Sequence, residues 1–196
     1  MVEAETSKKE TTKKESESGI RGVLTKKGVK ITKKSDVDVL SQKGYGVLEK
    51  GKLTLTFYEA LYLVDKGLLE VKDKKGSVLS FQKLLELYEK ADGNAWAKYL
   101  TYRDLRSRGY VVREGFGLGV NFRLYKRGEY SKDTAKYMLL SVQEGKPVML
   151  EELADALRRC RSLKKELILA VMNRRGEIVY YSVEQLTLPD EVSESG

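Results

Sequence analysis

The sequence predicts an α/β protein in two parts, and three observations carry that reading. Two continuous apolar runs, KYMLLSV at 136–142 and ELILAVM at 166–172, have the character of strands covered on both faces. Between them EELADALRRCR has the period of an amphipathic helix, so the segment reads as strand, helix, strand. Upstream, short alternating strands and capped helices run as far as Asp92-Gly93, which reads as a boundary between two domains.

Taken in order, residues 1–18 (MVEAETSKKETTKKESES) are polar with almost no apolar content and read as a disordered tail. Residues 19–92 form the expected N-terminal α/β domain. GIRGVLTKKGVKITKK places Ile20, Val23, Leu24, Val29 and Ile31 among basic residues, as in short strands with a basic outer face. GYGVLEKGKLTLTF gives two strands around a Glu49–Lys52 turn, where Gly51 supplies the tolerant backbone. FYEALYLVDKG predicts a helix with Phe57, Leu61 and Val64 on one face and Gly67 as its stop. SFQKLLELYEKADG predicts another, capped by Ser80, with Phe81, Leu84, Leu85 and Tyr88 inward.

Residues 93–190 form the expected C-terminal domain, and 191–196 a second tail. NAWAKYLTYRDLRSRG reads as a helix from Asn94 to Gly109, with Trp96, Tyr99 and Leu100 facing a core. YVVREGFGLGVNFRLYKRG reads as glycine-punctuated strand. In EELADALRRCR, Leu153, Ala156, Leu157 and Cys160 point inward, and Arg158, Arg159 and Arg161 largely outward. EIVYYSVEQLTL closes the chain as an alternating strand.

Composition narrows the chemistry. No histidine occurs in the 196 residues, which excludes Ser-His-Asp and Cys-His nucleophiles, HExxH zinc sites and histidine acid–base pairs. Tyr, Lys, Asp and Glu remain for acid–base work. The lone cysteine, Cys160, forms no internal disulfide, no CxxC pair offers a zinc site, and a buried helix position is its expected place. No apolar run reaches the roughly 20 residues of a membrane span, and no signal peptide opens the chain, so a cytoplasmic protein is expected. The net charge of +8 is uneven, residues 19–34 holding six bases and no acid. A polyanionic partner explains that excess. So does the charge-rich surface of a thermophilic protein, at 34% charged residues.

Three segments of the second half, TYRDLRSRGYVVREGFGLGVNFRLYKRGEY, the apolar strand beginning at Lys136, and RSLKKELILAV followed by GEIVYYSV, resemble the C-terminal domain of the archaeal tRNA-splicing (tRNA-intron) endonuclease family. In the first half, YGVLEKGKLTLTFYEALYLVDKGLLEV resembles that family's N-terminal domain, so the likeness covers about residues 20–188. It implies a small α/β N-terminal domain joined to a restriction-endonuclease-like α/β C-terminal domain. It also implies a reaction without metal or cofactor, in which a ribose 2′-OH attacks the adjacent phosphodiester at a bulge-helix-bulge. The products are a 2′,3′-cyclic phosphate and a 5′-OH. A base, an acid and a cation are needed, and in the family these are tyrosine, histidine and lysine.

Carried over by position, the tyrosine of FRLYxRG is Tyr125 and the lysine of S-x-x-K-x-L is Lys165. The histidine belongs in an E-H-S-x-Y context; here the residues read Asp133-Thr134-Ala135-Lys136-Tyr137, with Thr134 in its place. Threonine is far too weak an acid to protonate a leaving alkoxide; Lys132, Asp133 and Lys136 are the neighbours that could substitute only with shifted pKa values. Without the resemblance, Tyr125 reads as half-buried packing and Lys164-Lys165 as a solvated helix end. Arg158 matches a family arginine that stacks on an unpaired base, and reads equally as a solvated helix residue. Arg159, Arg161, Lys164, Arg174 and Arg175 would then contact phosphates.

In the family the C-terminal strands join two subunits. Here Ile178, Tyr180, Val183, Leu186 and Leu188 are the expected exposed apolar edge. An acidic docking loop of the family corresponds to Gln143-Glu144-Gly145-Lys146, with one acid offset by one lysine. The leading expectation is a structural, noncatalytic subunit that forms a heterotetramer with a catalytic subunit of the same family and acts on precursor tRNA. A self-sufficient endonuclease with a replaced general acid, and a noncatalytic RNA-binding protein on the same fold, are the alternatives.

Overall fold

Two five-stranded sheets form, one in each half of the chain, and the division falls between Lys90 and Ala91. The computed structural model describes residues 19–115, 119–126, 128–130 and 134–185. The expected tails at 1–18 and 191–196 lie outside the described residues, as do Lys132, Asp133, Leu186 and Leu188.

The first unit contains β1 (Ile20–Thr25), β2 (Gly28–Ile31), α1 (Lys34–Gln42), β3 (Val47–Glu49), β4 (Lys52–Leu55), α2 (Phe57–Asp65), β5 (Leu69–Lys72) and α3 (Phe81–Glu89). The sheet order is β3-β4-β2-β1-β5, antiparallel except for the parallel pair of β1 and β5. The period of two sorts its side chains. Val29, Ile31, Leu53, Leu55 and Val71 are fully buried toward the helices, where Leu61 and Leu63 meet them. Each such side chain contributes about 1.5–3 kcal/mol. The other face, carrying Arg21, Val23, Lys30, Lys52 and Lys72, is exposed or half-buried.

The predicted β3–β4 hairpin forms, with Lys50 (φ 48°) and Gly51 (φ 74°) both left-handed, as a two-residue turn matching strand twist requires. Helix α2 starts with a capping box. The Glu59 carboxylate accepts from the Thr56 backbone N–H at 2.8 Å and, across the fold, from Gly46 N–H at 3.0 Å. Its buried face is Tyr58, Ala60, Leu61 and Leu63, whereas Phe57 and Val64 are only half-buried. Ser80 caps α3 as predicted, accepting from Lys83 N–H at 3.2 Å. Helix α1 was not anticipated. It buries only Val37 and Leu40 and has no side-chain cap, so the sequence gives it little period to read.

The second unit contains α4 (Ala95–Ser107), β6 (Val111–Glu114), β7 (Phe122–Tyr125), β8 (Tyr137–Gln143), α5 (Leu150–Ser162), β9 (Glu166–Met172) and β10 (Ile178–Val183), ordered β10-β9-β8-β7-β6 in the sheet. Strands β8 and β9 are parallel, joined through α5, and occupy interior positions as the apolar runs predict. Helix α4 covers one face, and α5 covers part of the other through Ala156 and Cys160 against Met138 and Leu167. A polar cluster pins α4 to β8: Thr101 and Ser141 hydroxyls lie 2.8 Å apart and buried, and Asn94 Nδ2 donates to the Ser141 carbonyl at 2.5 Å.

Trp96 is 36% exposed rather than in the core; α4 instead buries Ala95, Ala97, Tyr99 and Leu100, because Trp96 falls on the solvent side of that face. On β10, Ile178, Tyr180 and Val183 are half-buried against their own unit, and the exposed apolar side chains are Val179 (42%) and Tyr181 (53%). Alternation holds, but α4 takes up one set, and α5 reaches only as far as Val183 on the other face.

Candidate functional site

Three positions far apart in sequence arrive at one end of the second sheet because of its strand directions. Strand β7 runs antiparallel to β8, with Leu124 opposite Tyr137, and β8 runs parallel to β9, with Tyr137 opposite Glu166. The end of β7 and the starts of β8 and β9 therefore share an edge, bringing together Tyr125, Thr134 and Lys165. Lys165 Nζ donates a 2.6 Å hydrogen bond to Thr134 Oγ1.

Local structure explains how Lys165 is held. Helix α5 carries Glu151 and Glu152 in its first turn and Arg159 and Arg161 in its last, both favourable to the helix dipole. It closes with a Schellman motif: Lys165 N–H bonds the Cys160 carbonyl at 2.8 Å, and Lys164 N–H the Arg161 carbonyl at 2.9 Å. The residue that makes the turn is Lys164, at φ 54°, where glycine is the unstrained choice. Lys165 thus leaves the helix in a fixed direction as β9 begins. Cys160, at the base of this turn, is buried as expected, and burial raises its thiol pKa.

On β7, Phe122 and Leu124 are buried toward α4, the Phe122 ring lying 6.3 Å from that of Tyr102, so Tyr125 projects to the α5 side. It is half-buried and meets Tyr130 edge to face, with centroids 5.2 Å apart. The Arg113 guanidinium lies 5.8 Å from the Tyr130 ring centre. Neither Arg113 nor Tyr130 was singled out from the sequence. Pairing of Val111 with Tyr125 puts Arg113 on the same face two residues along, so hairpin register was the signal that could have found it. Lys136 is engaged: it pairs with Glu166 at 3.0 Å, and the hydrogen bond it donates to that carboxylate, with a further one to Tyr137, raises its pKa.

The arginines expected to act together are separated. Arg158 and Arg161 flank a groove on α5. A cavity of about 830 Å³ runs past Leu153, Leu157, Arg158 and Val183, and an adjoining one of about 270 Å³ past Leu157, Arg161, Lys165 and Val183. Arg158 is ion-paired with Asp155, whose carboxyl is held below its ordinary range by that hydrogen bond. Arg161 Nη1 donates to Gln185 at 2.7 Å. The Arg159 guanidinium packs over Gly119, where a Cβ would come within 2.5 Å of Nη2. Arg174 and Arg175 stand in the β9–β10 turn, at the other end of the seven-residue β9 and about 20 Å from Lys165 at the usual rise per residue. There the Glu144 carboxylate accepts from Arg174 N–H at 3.2 Å and lies 3.9 Å from its guanidinium. Among the described residues, no group of His, Cys, Asp or Glu is placed to hold a metal, and no helix is long and apolar enough to cross a membrane.

Fold and site define a two-domain mixed α/β protein whose second sheet gathers tyrosine, lysine and arginine at one end. Comparison with known families is specific about which one. Residues 20–85 match the tRNA intron endonuclease, N-terminal domain, and residues 95–180 match the tRNA intron endonuclease, catalytic C-terminal domain. A tRNA-splicing endonuclease of Methanococcus vannielii is 37% identical over 118 residues, 60% of this chain and 67% of the relative. That of Methanococcus maripaludis is 36% identical over 120 residues, 61% and 68% of the two chains. That of Pyrococcus furiosus is 34% identical over 106 residues, 54% and 61%. The chain belongs to the tRNA intron endonuclease family.

Proposed function

We propose that this chain is the structural subunit of a tRNA-splicing endonuclease that cuts precursor tRNA in the cytoplasm at bulge-helix-bulge introns, with a separate catalytic subunit of the same family supplying the complete active site. One observation carries the reading. The position where the family places its general acid holds Thr134, and its hydroxyl oxygen accepts a hydrogen bond from Lys165.

The chemistry separates what this site retains from what it lacks. Tyr125 offers a phenol for the 2′-OH proton, and Lys165 offers an ammonium for charge on the phosphorane oxygens. The 5′-oxygen leaves as an alkoxide and needs a proton, which a threonine hydroxyl does not give near neutral pH. Losing a general acid costs about 10²–10⁴ in rate, roughly 3–5 kcal/mol of barrier. Lys136 is a poor replacement, because its pairing with Glu166 holds its proton more tightly. That argues against the self-sufficient enzyme.

The assembly partner would meet the outer strand β10, whose free edge is flanked by Val179 and Tyr181. A heterotetramer of two such pairs follows the family pattern. Glu144, the one acid of the loop 143–146, is engaged by Arg174, so an acidic docking loop would have to come from the catalytic chain. Arg158, Arg161 and Lys165 line one groove and would hold RNA there, Arg158 stacking on an unpaired base beside Leu153 and Leu157.

The test is reconstitution. The purified chain should leave a bulge-helix-bulge RNA intact and should support cleavage once mixed with a histidine-bearing chain of the family from the same source. Brisk cleavage by this chain alone would overturn the proposal.

A further inference from the structure

The charge of the first unit is divided between its two layers. Residues 19–90 carry fifteen Lys and Arg against nine Asp and Glu, while the longer segment 91–196 carries eighteen against fifteen. Most of the chain's net charge of +8 therefore belongs to the smaller unit. Within it, β1–β2, β3–β4, β5 and their turns (20–31, 47–55, 69–76) hold nine bases and three acids, whereas α1, α2 and α3 hold two bases and six acids. Pairing sets the direction of the strand residues. Val23 stands opposite Lys30 and Lys72, and Lys30 opposite Thr54, so Arg21, Lys30, Lys52 and Lys72 share the face turned away from the buried Ile31, Leu53 and Val71. Lys26 and Lys27 project from the β1–β2 turn at its edge. Glu70 offsets Arg21 and Lys72, at 3.9 and 3.4 Å. Among the described residues, no ion pair engages Lys26, Lys27, Lys30 or Lys52.

We infer that this open sheet face is a second RNA-binding surface, one that holds the phosphate backbone of a helical arm of the substrate. It rests on the function proposed above only in taking that substrate to be a precursor RNA. The nature of the contact follows from what the strands lack. IRGVLT, GVKI, VLE, KLTL and LEVK contain no aromatic residue, so the face has no platform on which bases could stack. It offers instead flexible point charges on a surface about 20 Å across, from five strands at the usual spacing. Such a surface tracks phosphates without reading sequence.

The experiment measures binding of the full chain, by fluorescence anisotropy, to a plain RNA duplex and to a bulge-helix-bulge duplex over a range of salt. A variant carrying Lys26→Ala, Lys27→Ala, Lys30→Ala and Lys52→Ala should bind both at least about tenfold more weakly near 0.1 M salt. Its plot of log K against log salt should be shallower by about 3, each lost phosphate contact removing roughly one. The matching Lys→Arg variant should keep affinity and slope. If the fourfold variant melts early, Lys26→Ala with Lys27→Ala reads the same slope at about half the change. Unchanged affinity and slope would overturn the inference, as would loss of binding to a companion protein with RNA affinity intact, since the face would then serve an acidic protein. Binding needs no cleavage, so a chain that fails reconstitution yet shows the salt effect sinks the functional proposal alone.

Discussion

Replacing Thr134 by histidine is the perturbation that bears most directly on the reaction. Thr134 Oγ1 lies 2.6 Å from Lys165 Nζ, and both positions open to solvent at the end of the sheet. A histidine there would put an imidazole beside the ammonium, where a leaving 5′-oxygen would be protonated. The nearby positive charge disfavours imidazolium. At about 5 Å and a dielectric near that of water, the repulsion is about 0.8 kcal/mol, which pushes an imidazole below its ordinary value near 6.5. The donor is the protonated form, so the gain should be greatest on the acid side and fall about tenfold per pH unit once the imidazole is neutral. The Thr134→His chain, incubated alone with end-labelled bulge-helix-bulge RNA under single-turnover conditions, should cleave about 10²–10⁴ faster than the unaltered chain. The product ends should be cyclic phosphate and 5′-OH. A variant that folds, binds the RNA and still shows no gain at pH 6 would refute the idea that the acid is the missing part.

Lys164→Gly should relieve the left-handed turn and raise stability by about 1 kcal/mol, or roughly 4–8 °C in the melting temperature of a unit this size; a lower melting temperature by calorimetry would show the turn is not strained. Glu59→Ala should cost about 2–4 kcal/mol in denaturant titration, because it strands the buried Gly46 and half-buried Thr56 N–H donors as well as losing the cap. Burial raises the phenol pKa of Tyr88, and burial with the hydrogen bond to Asp104 raises that of Tyr180. A raised acid group contributes stability that is present below its unfolded value near 10 and lost above it. Thermal stability should therefore fall beyond about pH 10, and Tyr88→Phe or Tyr180→Phe should flatten the fall. Tyr181→Asp should shift the sedimentation of the mixed complex toward smaller species while leaving the isolated chain's melting unchanged.

Legibility in the sequence followed the strength of local period. The β3–β4 hairpin showed its turn residues, α2, α3 and α5 several residues at helical spacing, and β8 and β9 unbroken apolar runs, and each formed. Helix α1 did not, with two buried residues in nine. Trp96 was misplaced because two alanines, not the largest ring, face the packing surface at the start of α4. For β10 the alternation was visible, but which set would be covered depends on where α4 and α5 end, which is a tertiary fact. At the site, the resemblance named Tyr125, Thr134 and Lys165, and strand direction brings them to one edge. The same resemblance grouped Arg174 and Arg175 with Arg158, and the length of β9 keeps them apart. Sequence proximity to a basic helix says nothing about which end of a strand a residue occupies.

The closing turn of α5 has a consequence for how the chain can change. Arg158 sits on the helix and Lys165 just past its cap, so the offset between them is set by rigid turns rather than by a loop that could stretch. Inserting one residue between them would swing the downstream end by about 100° and slide it about 1.5 Å. Insertions there should be far more damaging than equal ones in the β9–β10 turn, because a ruler tolerates additions only beyond its marks.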